Sequence, residues 1–388
     1  MQTIQDKSPF INALGQPSTE GHRHVAEAWQ RRCVPVDLLL RDLREKASTT
    51  QDVWMDARDI RLDGEFRLEG MSLTPFALSG LARYTDCPSV MLSYLSEKGY
   101  SAQAADHLNR EISRLGSRKF LVRLISGQDG LAQVRAFCSD RYAILDNADA
   151  LQMVIEAFPR GALEDILTCH TDGDDDSFRT MLLAPDYIQS YPDSDYGVGV
   201  SVQNSEVGRV PFGLDSMSFR AICQNGCVHG SSVHGSLSRK HQGRIDRDDL
   251  RSAIRQTVVD ALDHGRDALR AVQYLKTVPV PLPNETITIL SRENGLDRDE
   301  ARNWLKGVQM TLGEPSFNWE DTAFALVQGL TRSARDATSL RRANLERIAD
   351  RLISPADMSG VSVINEHWRR ITERAESVER KHVLAICN

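Results

Sequence analysis

The 388-residue sequence is poor in aromatics, at 6%, and no stretch of it approaches the roughly 18 consecutive apolar residues of a membrane-spanning helix. Its first residues, MQTIQDKSPFINALGQPSTEGHRH, show no apolar run behind a basic start, so no signal peptide is expected. Excess positive charge is also missing: 47 Lys and Arg stand against 54 Asp and Glu, a net of −7. That balance excludes coating of nucleic acid or membrane by bulk charge, but not a local basic groove. No P-loop, G-x-G-x-x-G turn or local nucleophile signature is present, so nothing supports nucleotide hydrolysis or Ser-His-Asp or Cys-His chemistry. Seven cysteines, an odd number without an export signal, read as buried thiols of a reduced cytoplasmic protein. Internal repeats and extended low-complexity tracts are absent.

What is there is ordinary globular material, 41% hydrophobic and 26% charged, in a chain long enough to build a core without disulfide or metal. Residues 1–22 read as a loose arm. From Val25 to about Ala47 the pattern is helical, interrupted at Pro35, and residues 53–70 read as a short hairpin around Gly64 and Gly70. Thr74 ahead of Pro75 caps a helix to about Arg83; two more follow, closed by Gly99 and Gly116. Strand-like runs at 119–126 and 131–138 flank Gly-Gln-Asp-Gly as a hairpin. After an amphipathic helix from Asn147 to Phe158, strands are expected at 162–170, 178–184, 197–206 and 217–224, with Asn225-Gly226 as a tight turn. Beyond Ser236 the chain reads as helical almost to its end. The expected fold is α+β: a mostly antiparallel central sheet in residues 23–235 with an N-terminal helical layer, a helical part over 236–354, and a charged C-terminal helix or tail over 355–388.

Two blocks carry a resemblance. The run LVRLIS…GLAQVRAFCSDRYAILDNADAL (121–151) and the run GVGVSVQNSEVGRVPFGLDSMSFRAICQNGCV (197–228) are similar to the "domain of unknown function 932" family of phage and plasmid proteins. Fainter echoes lie at 73–95, 239–243 and 319–336, so the likeness spans roughly residues 30–350. Cys227 stands where that family more often has an aliphatic residue, and 355–388 looks like an addition. The resemblance implies a related fold and a mobile-element setting; it implies no reaction.

Charge is unevenly distributed. Residues 110–141 hold seven basic residues against three acids, and residues 209–255 eight against four. If Arg123 and Arg135, on strands expected to pair, and Arg220 on a third project from one sheet face, they form a groove that follows a phosphate backbone. Arg118, Lys119, Arg141, Lys240 and Arg244 extend it, with Tyr142 and Phe219 as stacking surfaces. The plainer alternative is pairing with nearby carboxylates or a solvated face. Asn204, Ser205 and Glu206 end a strand with small neighbours, where a ligand or another backbone approaches closely.

Three further patterns have bland readings that fit better. The Asp172–Asp176 run lies in a segment, 160–196, with nine acids against two basic residues. It offers oxygen ligands to a divalent ion but lacks the rest of a calcium loop, so a solvated turn is expected. Cys223, Cys227, His229 and His234 are zinc-ligand types at unusual spacing, and no metal or other cofactor is expected. Residues 287–308 have a helix-turn-helix outline, but the second helix is acidic, which favours an ordinary helical hairpin. The leading expectation is a non-enzymatic DNA-associated protein of phage or plasmid type that holds single-stranded DNA, in annealing or recombination. Behind it stand a protein-interaction factor for host takeover or counter-defence, touching a host or phage protein, and a divalent-metal enzyme acting on nucleic acid. No membrane partner is expected, and the charged last helix is a candidate contact in a homo-oligomer.

Overall fold

The computed structural model describes residues 33–126, 131–158, 166–173, 176–191, 194–220, 227–231, 236–313, 317, 320–334, 337–353 and 361–387. It begins with strand β1 (Cys33–Pro35) and helix α1 (Val36–Ser48). Pro35 fixes the extended-to-helical switch, so the helix expected across it starts only at Val36. The apolar face of α1 buries Val36 and Leu40.

The chain then leaves to build a smaller lobe. Strand β2 (Thr50–Asp56) is followed by β3 (Arg67–Leu68), β4 (Met71–Leu73), α2 (Pro75–Tyr84), α3 (Ser89–Glu97), α4 (Ser101–Arg114), β5 (Lys119–Ser126) and β6 (Ala132–Ser139). The Thr74 hydroxyl accepts the Ala77 N–H at the start of α2 and donates to the Arg135 carbonyl, so one residue caps the helix and fastens it to β6. The sheet runs β2-β5-β6-β4-β3; β4 is parallel to β6, and the other pairs are antiparallel. The hairpin expected at 53–70 is displaced: β2 pairs with β5, and the tight turn is at Gly70 between β3 and β4. Phe120, Val122, Leu124 and Phe137 pack against Leu81, Leu92, Leu108 and Ile112 in a core of this lobe's own.

Past β6 the chain returns to the larger lobe through α5 (Asn147–Ala157), β7 (Leu167–Gly173), β8 (Phe178–Tyr191), β9 (Ser194–Asn204), β10 (Phe212–Arg220), β11 (Cys227–Ser231) and β12 (Leu237–Arg239). These strands and β1 form a seven-stranded antiparallel sheet in the order β1-β7-β8-β9-β10-β11, with β12 also on β10. The α+β class is as expected, but there are two sheets where one central sheet was expected. Val198, Val200 and Val202 of β9 are buried as the alternation predicts. On its other face Gly199 is obligatory, because a Cβ there would stand 1.9 Å from the Leu182 carbonyl oxygen.

Helix α6 (Arg247–Leu275) lies on β9 and β10, where Ser216 donates to the Ala261 carbonyl. Helices α7 (Pro283–Glu293), α8 (Arg298–Leu312), α9 (Ala323–Ser333), α10 (Ser339–Ile353) and α11 (Val361–Cys387) complete the lobe. Asp297 and Glu300 form a capping box at the start of α8, and Glu300 also pairs with Arg341 of α10, so the acids of the suspected recognition helix serve the fold. The α8 and α9 backbones meet at Gly307 and Gly329; a Cβ on Gly307 would stand 2.1 Å from the Gly329 carbonyl oxygen. The charged C-terminal helix α11 packs on this lobe: Trp368 is fully buried and donates to the Leu352 carbonyl. Among the described residues, no helix is long and apolar enough to cross a membrane.

Candidate functional site

The lobes meet across a buried ionic junction built from the residues the sequence marks most strongly. Arg123 points from β5 toward the larger lobe. Its Nε donates to Asp52 at 2.8 Å, its Nη2 to Asp146 at 2.7 Å and its Nη1 to the Glu206 carbonyl at 2.6 Å. Arg135 of β6 donates to Glu206 Oε2 at 2.9 Å, and the other carboxylate oxygen accepts the Asn147 N–H at the start of α5. An anion is well placed there, since a helix N-terminus presents unpaired N–H groups and the positive end of its dipole. Asn204 donates to the Leu145 carbonyl and the Asn147 side chain, while Ser205 donates to the Asp176 carbonyl.

This geometry corrects the phosphate-binding role expected of Arg123 and Arg135. They are 1% and 2% exposed, and a buried guanidinium requires the carboxylates that surround it. Arg220 ends β10 in the other sheet, so the three arginines share no sheet face. Asn204, Ser205 and Glu206 are likewise buried, and each bonds within the chain: Asn204 to Leu145 and Asn147, Ser205 to Asp176, and Glu206 to Arg135 and Asn147.

Beside the junction lies a cleft of about 540 Å³, enclosed by α2, the end of β6, the Val207–Pro211 turn and residues 240–242. The charged side chains lining it are Arg83, Arg209 and Lys240, with no carboxylate among the lining residues. Phe76, Tyr84, Phe137 and Tyr142 supply ring surface. Arg83 lies 6.0 Å from the Phe76 ring centre, and Arg118 lies 4.6 Å over Tyr84. Arg209 is steered by Asp176 at 3.2 Å. At the floor Tyr142 stacks on His241, ring centres 5.4 Å apart and 17° from parallel, and donates to the Ser205 carbonyl. His241 Nδ1 lies 3.2 Å from the Ala143 carbonyl, which selects the tautomer with the proton on Nδ1. Burial outweighs that bond and holds the imidazole below its ordinary range, so it is neutral at pH 7. Burial also pushes the Cys138 thiol up to about 12, which rules out a thiolate nucleophile there.

The remaining sequence candidates divide cleanly. Lys240 lines the cleft, Arg118 covers one of its rings, and Tyr142 forms its floor. Arg141 and Arg244 are exposed at the loops joined by the Tyr142–Gln242 bridge, where the Gly243 N–H donates to the Arg141 carbonyl. Lys119 is exposed at the start of β5, opposite Asp56. Cys223, Asn225, Gly226 and His234 lie outside the described residues, as do Asp174 and Asp175. Cys227 and His229 are on β11, opposite Arg220 and Ser218. Among the described residues, no group of three or more His, Cys, Asp or Glu is placed to hold a metal ion. Phe76 and Arg83 were not singled out by the sequence. A usable signal exists in α2, where an aromatic and an arginine seven residues apart share a helix face.

No family model matches the chain, and neither a curated protein nor a solved structure matches it. The likeness to the 932 family therefore stands on the residues quoted above alone.

Proposed function

We propose that the chain is a DNA-associated protein that holds single-stranded nucleic acid at the cleft between its lobes. The observation that carries this reading is the composition of the cleft: three partly exposed aromatic rings, Phe76, Tyr84 and Tyr142, and three cations, one of them Arg209 held by Asp176, with no carboxylate among the lining residues. Rings give every base a stacking surface, and cations placed beside them neutralise the phosphates between bases. The basic surface of the sequence is thereby moved from a sheet face to Arg83, Arg118, Arg209 and Lys240, with Arg141 and Arg244 on the approach. The quoted likeness to a phage and plasmid family supports a mobile-element setting, and with it a role in strand annealing or recombination rather than catalysis. Buried free thiols at Cys87 and Cys138 fit a cytoplasmic location.

Fluorescence anisotropy with labelled single-stranded and duplex DNA across a salt series tests the proposal. Three lining cations that each neutralise one phosphate give a slope of log affinity against log salt of about −2, at about −0.7 per phosphate on single strands. Replacing Arg83 and Lys240 together by Gln flattens it to about −0.7. No binding at low salt, or an unchanged slope in the double variant, refutes the reading.

A further inference from the structure

The smaller lobe leaves a sheet edge open. Strand β2 is seven residues long and ends the five-stranded sheet; among the described residues no strand lies on its outer side. The other strands that end a sheet are shorter: β1 has three residues and ends at Pro35, β11 has five and β3 has two. Edges of native sheets are ordinarily blunted by Lys, Pro or a bulge, because their unpaired N–H and C=O groups invite another strand. In β2, Thr-Gln-Asp-Val-Trp-Met-Asp, none of these is present, the register with β5 runs without a shift, and its two carboxylates are turned to arginines of the same chain, Asp52 to Arg123 and Asp56 to Arg58. Instead Val53 is 41% and Trp54 53% exposed.

The ladder shows which backbone groups are free to pair. The Ser126 N–H donates to the Thr49 carbonyl and the Ala57 N–H to the Arg118 carbonyl, which places the hydrogen-bonded pairs with β5 at the odd-numbered residues of β2. Thr50, Asp52, Trp54 and Asp56 therefore turn their N–H and C=O groups outward. A second β2, antiparallel about a two-fold axis, has few registers to choose from. Centring on Asp52 sets that carboxylate against its own copy, and centring on Trp54 sets Asp52 against the copy's Asp56; like charges directly opposite are unfavourable. Centring on Val53 places Asp52 opposite Trp54 and Thr50 opposite Asp56. All four outward-facing residues then fall in hydrogen-bonded pairs, and no two carboxylates face each other.

We infer that β2 is the contact between two copies of this chain, joined antiparallel about Val53 into one continuous ten-stranded sheet. The contact is isologous and closes on itself, so it stops at two copies. It is separate from the cleft and holds whether or not nucleic acid binds there.

The test is the solution mass of the full chain by light scattering, with two variants and one cross-link. The wild type is expected at twice its 43.4 kDa chain mass. Trp54→Glu sets a carboxylate opposite the copy's Asp52, and Trp54→Pro removes an N–H that makes no bond within the sheet, so each is expected to give a monomer with an unchanged circular dichroism spectrum. Val53→Cys places two thiols opposite each other at a non-hydrogen-bonded pair, about 4.5 Å between Cα atoms, within the range a disulfide spans. It is expected to give a covalent dimer on oxidation, and the wild type none. A monomeric wild type, a dimer that survives both Trp54 variants, or a dimer in which Val53→Cys fails to cross-link overturns the inference.

Discussion

Glu206 joins three things at once, and its replacement by Gln separates them. The change keeps the shape of the side chain and removes its charge, so Arg135 loses its carboxylate at 2.9 Å while both residues stay within a site at most 4% exposed. Removing one partner of a buried ion pair costs about 3–5 kcal/mol, because the remaining buried charge loses the carboxylate set against it. The Asn147 N–H at the start of α5 also loses an anion, worth about 0.3–1 kcal/mol. The Arg123 bond to the Glu206 backbone carbonyl is unaffected, so the cost stays below that of losing the whole junction. Equilibrium urea denaturation should therefore show Glu206→Gln less stable by about 3–5 kcal/mol. The paired variant Glu206→Leu with Arg135→Met removes both charges and should recover most of that loss. A loss below about 1 kcal/mol for Glu206→Gln, the value of a solvated surface pair, would refute the junction. So would a double variant whose loss equals the sum of the two single ones.

Gly307→Ala should cost about 1–3 kcal/mol by denaturation, because its methyl meets the Gly329 carbonyl and the two helices must part. Gly80→Ala on α2, with nothing within 4 Å of the new methyl, should be neutral or stabilising. Burial holds His241 and His367 below the ordinary 6.5, so the unfolded chain binds protons that the folded one refuses. Stability should be full above about pH 6.5 and fall as the pH drops through it, and His241→Gln with His367→Gln should flatten that fall. Cys138, with its thiol raised to about 12, should resist alkylation in the native state at pH 8 and react on unfolding, as mass spectrometry would show.

The sequence made local structure legible where a cap or a glycine marks it. Thr74, Gly99 and Gly116 all stand at the helix ends they announce. The site was read less well, because its logic is non-local. Arg123 was counted against acids in its own stretch, but its carboxylates are Asp52 and Asp146, on elements that only the fold brings near. Its immediate neighbours, Val122 and Leu124, carried a usable hint: a charge flanked by apolar residues in mid-strand is one the fold buries and must pair. The division into two sheets was hidden for a related reason. Strand periodicity reports which face is apolar, but not which strand will lie alongside.

The smaller lobe is a loop of the larger one, inserted between α1 and α5, and this sets an order of assembly on the ribosome. Its core lies entirely within residues 57–137 and can close as soon as those residues emerge. Val36 and Leu40 leave the tunnel first but wait for partners from Leu145 onward, and β1 waits for β7. Glu206 follows Phe137 by about 3–14 s at ordinary elongation rates of about 5–20 residues per second. For that interval Arg135 has folded neighbours but lacks the Glu206 carboxylate, while Arg123 keeps Asp52 of its own lobe and lacks only the Glu206 carbonyl and Asp146 until they emerge. A pause in translation between residues 139 and 206 would prolong that state and keep Arg135 waiting for the Glu206 carboxylate that closes the junction.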